Sequence, residues 1–158
     1  MLLGGPDAAS LAPTLAALGF CASVASDRFG VASAIKMCRS ISVEGMEAIA
    51  IESFVAAQVR VENEVLASLA ETFPGLDWER NGSYFFSRVI RPGRRRAEEM
   101  REAAATVREV GLEPIMAKAI ADRQAWVAEL ARCGVFADTT SATGWRECAD
   151  AIAPDGER

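Results

Sequence analysis

The sequence contains no histidine. That removes histidine-centred catalytic triads, histidine metal sites and the commonest general acid–base group. Its four cysteines, Cys21, Cys38, Cys133 and Cys148, are widely spaced and form no C-x-x-C pair. Such spacing fits free thiols in a reducing compartment rather than a zinc centre or a disulfide framework, so no metal is expected. No stretch approaches about 18 uninterrupted apolar residues, which excludes an expected membrane span. No basic segment precedes the apolar residues at the N-terminus, against a secretory signal, and a cytoplasmic location is the expectation. A net charge of −5 argues against nucleic acid as a partner. Lysine is nearly missing too: of 17 basic residues only Lys36 and Lys118 are Lys, and the rest are Arg.

What is present is a chain of 158 residues, 51% hydrophobic and 25% charged, enough for one helix-rich domain with a core. Met1-Leu2-Leu3 reads as a buried strand running into the turn Gly4-Gly5-Pro6-Asp7. Asp7 is placed to cap a helix from Ala8 to Leu18, closed by Gly19 and followed by a short strand at Cys21 to Ala25. One helix and two short strands cannot cover both faces of a parallel sheet, and they look like the end of an α/β domain.

From Val31 to about Leu69 there is no proline, and apolar residues recur at helical spacing. This predicts one long helix of nearly ~60 Å, its first half buried on several sides and its second half, with Arg60, Glu62 and Glu64, more exposed. Phe73-Pro74-Gly75 ends it. An aromatic-rich segment follows from Trp78 to Ile90, then the break Arg91-Pro92-Gly93. Helices are expected from Arg94 to Val110, from Pro114 to about Arg132 and, shorter, from Trp145 to Ala151. The fold expected is mainly α, a helical bundle built on one long central helix and preceded by a short α/β remnant.

Lys36 stands out because it interrupts an apolar, helix-forming run, Gly30-Val31-Ala32-Ser33-Ala34-Ile35-Lys36-Met37-Cys38-Arg39-Ser40. In so arginine-biased a chain a routine surface cation would be Arg. An ammonium can give up its proton near neutral pH when it is desolvated, and a guanidinium cannot. Ser33 and Ser40, at i−3 and i+4, share a helix face with Lys36; the alternative is that both are small packing residues.

The order of Met1-Leu2-Leu3-Gly4-Gly5, a helix, a short strand and Gly30-x5-Lys36 resembles the junction between the two domains of β-hydroxyacid dehydrogenases. The segment from Gly30 through Gly45 and Glu52 is similar to 6-phosphogluconate-dehydrogenase-like oxidoreductases with a variant C-terminal domain. So are Arg94-Arg95-Arg96-Ala97-Glu98-Glu99-Met100 and Gly111-Leu112-Glu113-Pro114-Ile115-Met116. The resemblance implies that residues 1–29 are the end of a Rossmann NAD(P)-binding domain. Residues 30–158 would be the all-α domain that completes the active site and dimerises. It implies Lys36 as general acid–base on the hydroxyl of a hydroxy acid. Ser40 stands where the family has an asparagine that helps hold substrate, and Glu52 is read as structural.

No G-x-G-x-x-G follows a strand in this sequence, and Gly4-Gly5 is no substitute. The complete enzyme is expected to use NAD or NADP, whereas this chain alone is expected to bind neither and to be inactive. Arg91, in the loop before the Arg94 helix, is the candidate for an anionic substrate group, with Arg39 a weaker one. Arg94–Glu98 and Arg95–Glu99 are expected as i,i+4 pairs on a solvated helix. For Glu44 and Glu47 a salt bridge within or between chains is expected. The alternative to a dehydrogenase domain is a non-catalytic helical dimerisation module.

Overall fold

Gly30 turns the chain through a φ of 81°, a conformation that costs any residue with a Cβ, and so starts the helix on which the others pack. The computed structural model describes residues 1–58, 60–140 and 142–153. The domain boundary expected at residue 158 lies outside them. The elements are β1 (Leu2–Gly4), α1 (Ala8–Ala17), β2 (Ser23–Ser26), α2 (Val31–Ala57) and α3 (Glu62–Thr72). They continue as α4 (Trp78–Ile90), α5 (Gly93–Glu109), α6 (Ile115–Arg132) and α7 (Trp145–Ile152). The fold is mainly α, as expected.

β1 and β2 pair in parallel, Leu2 opposite Ser23 and Leu3 opposite Val24, with an irregularity before Gly4. The expected side-chain cap of α1 does not form. Asp7 sits at φ −94°, ψ 2°, outside the extended conformation an N-cap needs, and instead its carbonyl accepts from Ser10 Oγ at 2.9 Å.

The long helix ends earlier than its periodicity suggests. α2 stops at Ala57, where the N–H groups of Arg60 and Val61 both reach the Ala57 carbonyl, and α3 sets off afresh. Neither glycine nor proline marks the break. Tertiary packing explains it. Leu66 and Leu69 of α3 pack against the core cluster of Ile51, Phe54 and Phe86, whereas an unbroken helix would carry them away into solvent. Burial also runs opposite to expectation. Ser33 to Lys36 are exposed, and the buried stretch starts at Ser40 and ends at Ala57. The start of α2 lies against the small β unit and touches the bundle through Lys36 and Met37, whereas the buried positions of the later turns pack among α4, α5, α6 and α7.

The main core gathers Ile51, Phe54, Phe86, Val89, Val127, Trp145 and Cys148. Phe54 and Trp145 meet with ring centroids 4.8 Å apart. α4 passes this pair at Gly82, where a Cβ would lie 2.7 Å from Phe54 Cε2 and 3.0 Å from Trp145 Cδ1. Burial pushes the Cys148 thiol up to about 11, which leaves it an inert packing group. A second cluster of Ala48, Met100, Ala103, Ile120 and Ala121 locks α5 and α6 onto α2, with Met37 and Ile41 packed against it.

Candidate functional site

Two glycines allow β1 to lie directly on the start of α2. A Cβ on Gly4 would meet Ala32 Cβ at 3.1 Å, and one on Gly5 would meet Phe29 Cε1 at 3.0 Å. Beside this contact is an open cleft of about 270 Å³ lined by Leu2, Ala32, Ser33 and Lys36. Ser33 and Lys36, three residues apart, reach it from one face of α2. The desolvation expected of Lys36 is not what the structure has: its side chain is 55% exposed. Its Nζ donates to Glu99 Oε1 on α5 at 3.2 Å.

The other candidates lie elsewhere. Ser40 is buried at 8% exposure one turn further along α2, and it does not line the cleft. Arg91 is exposed at the C-terminal cap of α4, in the turn that separates α4 from α5, and it does not line the cleft. Arg39 is exposed on α2. Glu52 pairs with Arg123 of α6, which supports its structural reading. Tyr84 and Trp126 are exposed, and the remaining aromatics of α4 pack inward.

Below the cleft the same helix carries the charge cluster that the sequence only half disclosed. Arg96 of α5, 4% exposed, donates through Nη2 to Glu47 Oε1 at 2.7 Å and lies 3.1 Å from Glu44 Oε1. Its Nε donates to the Arg88 carbonyl at 2.9 Å. Arg88 Nε stands 4.0 Å from Glu47 Oε1. Burial pushes both carboxyls above the usual range against the opposing pull of Arg96, and for Glu47 the nearby Glu44 charge adds to the rise. The expected salt bridge of these glutamates is therefore internal to the chain. Arg96 itself was hidden in a run of three arginines. Its signal was its register with Met100, Ala103 and Ala104 on the buried stripe of α5. Arg95 pairs with Glu99 at 3.4 Å as expected, but Glu98 meets Arg101 at 2.6 Å.

Among the described residues no group of three or more His, Cys, Asp or Glu is arranged to hold a metal ion. No helix among them is long and apolar enough to cross a membrane. On the outer side of α2, Ile49 (59% exposed) separates two apolar clefts. One, of about 460 Å³, includes Met116 and Ile120; the other, of about 320 Å³, includes Met46 and Phe73.

Residues 56–127 match DUF1932, a domain of unknown function. DUF1932 is the C-terminal domain of NAD(P)-binding 3-hydroxyacid dehydrogenase-like proteins. The crystal structure of a conserved hypothetical protein from Sinorhizobium meliloti 1021 aligns with a TM-score of 0.82 and 34% identity, over 96% of this chain and 50% of that one. Conserved protein MTH1747, of unknown function and described as structurally similar to 3-hydroxyacid dehydrogenases, aligns with a TM-score of 0.68 and 30% identity. That alignment covers 84% of this chain and 50% of the other. The chain spans about half the length of both proteins. No curated protein matches it. The chain thus resembles the C-terminal helical domain of 3-hydroxyacid dehydrogenase-like proteins.

Proposed function

We propose that this chain is the substrate and dimerisation domain of an NAD(P)-dependent oxidoreductase acting on a hydroxy acid, with Lys36 as general acid–base. Residues 1–29 are then the end of a Rossmann domain and residues 30–158 the all-α domain. The observation that carries the reading is the cleft where Lys36 and Ser33 face β1, the meeting point of the α/β unit and the bundle. Lys36, as the neutral amine, takes the proton of the substrate hydroxyl while the carbinol carbon gives up its hydride to the NAD(P) of the complete enzyme, and as the ammonium it returns that proton in the reverse direction. Ser33 hydrogen-bonds the same end of the substrate, and Arg91 takes its anionic group. The burial of Ser40 supports a packing role for it.

Among the described residues the glycine pair Gly4-Gly5 does not fit a dinucleotide. Gly4 and Gly5 face Ala32 and Phe29, and so serve strand–helix packing rather than a phosphate cradle. NAD or NADP therefore belongs to the complete enzyme. Calorimetric titration of this chain with either dinucleotide is expected to give no binding in the micromolar range. Micromolar affinity would mean that the nucleotide site has been misplaced.

The exposed Met46, Ile49 and Met116 favour a homodimer through the outer face of α2, and they also support the alternative of a purely structural dimerisation module. Ile49→Glu places a charge between the two apolar clefts. Sedimentation velocity is expected to show a dimer for the parent chain and a monomer for the variant. An unchanged dimer would move the interface elsewhere.

A further inference from the structure

An exposed lysine on one helix is a poor acid–base unless something fixes its end. A Lys side chain has many rotamers to choose among, and an acid–base group works only within hydrogen-bond reach of the proton it moves. Here one side chain from another element meets the ammonium. Glu99 Oε1 accepts from Lys36 Nζ at 3.2 Å and lies 3.4 Å from Arg95 Nη1. The Glu99 side chain is only 18% exposed.

The backbone beneath Glu99 is held on both sides. Met100, the next residue, is fully buried in the cluster that packs α5 on α2, where Met37, next to Lys36, also packs. Three residues earlier Arg96 is gripped by Glu44 and Glu47 of α2. Ion pairs with an exposed partner contribute little to stability, so folding gives no strong reason for this contact. Its geometry gives another.

We propose that Glu99 is the positioning residue of Lys36: anchored on α5, it holds the ammonium at the cleft formed by Leu2, Ala32 and Ser33. Arg95 pairs with the same carboxylate oxygen and steadies it. The proposal rests on the acid–base reading of Lys36, and its test separates the two.

The chain has only two lysines, Lys36 and Lys118. An NMR spectrum of lysine Cε–Nζ groups therefore shows two signals, and Lys36→Met assigns them. In Glu99→Gln, similar in size but uncharged, the Lys36 signal is expected to move toward that of free lysine. The Lys118 signal, from a group that donates to Glu113, is expected to stay in place. In the enzyme completed with its nucleotide domain, Glu99→Gln is expected to lower kcat about tenfold with KM changed less than about twofold, the pattern of a misplaced reacting group. A Lys36 signal unmoved by Glu99→Gln overturns the positioning role. Full turnover in Lys36→Met would instead overturn the acid–base reading, whatever the Glu99 spectra show.

Discussion

Arg96→Met is expected to be the most destabilising single change in the bundle, at about 3–5 kcal/mol near neutral pH. The arginine, 4% exposed, serves two buried carboxylates at once. Methionine fills much of the same volume but leaves Glu44 and Glu47 facing each other, with Arg88, 4.0 Å from Glu47, and Arg95, which acts on Glu44, as remaining cations. The pH dependence follows from the direction of the carboxyl shifts. Both groups already sit above their unfolded value of 4.5, chiefly because they are buried. Stability tied to a carboxyl raised in the folded state is fully present below the unfolded value and is lost as pH rises through the folded one. Without Arg96 that rise is larger. Urea unfolding should therefore show a wide gap between variant and parent at about pH 7.5 and a narrow one at about pH 4. A variant within about 1 kcal/mol of the parent at neutral pH would show that the remaining arginines satisfy the pair.

How much of this was legible in the sequence depends on how local each signal is. Gly30, Gly111 and Pro114 mark backbone requirements within a few residues, and the helices start and stop beside them. The end of α2 carries no such mark. It is decided by Leu66 and Leu69 reaching a core built from four other helices, which no window of sequence contains. The same holds for burial along α2: its apolar first turns look like core, but the bundle lies beyond them. At the site, Ser33 and Lys36 were legible as neighbours on one helix face. Glu99 was visible only as a partner of Arg95, because 63 residues separate it from Lys36. Arg96 was masked by the two solvated arginines beside it.

The second large effect concerns Lys36 in the complete enzyme. Lys36→Met keeps a long, flexible stem of similar volume at a position that is already exposed, so folding should survive. The ammonium is lost, and with it both the polarisation of the substrate hydroxyl and the transfer of its proton. A general acid–base group contributes about 10²–10⁴-fold, so turnover should fall by at least about a hundredfold. Dinucleotide affinity should change little, since no residue of this chain is read as a cofactor ligand. Lys36→Arg separates charge from proton transfer. It keeps the positive charge beside Glu99, yet a guanidinium does not release a proton near neutral pH.

The turnover of Lys36→Arg, measured where substrate deuteration shows that hydride transfer limits the rate, therefore tests the central claim most directly. The account predicts a loss close to that of Lys36→Met. Retention of more than about half the parent rate would contradict it and make Lys36 an electrostatic anchor rather than the acid–base.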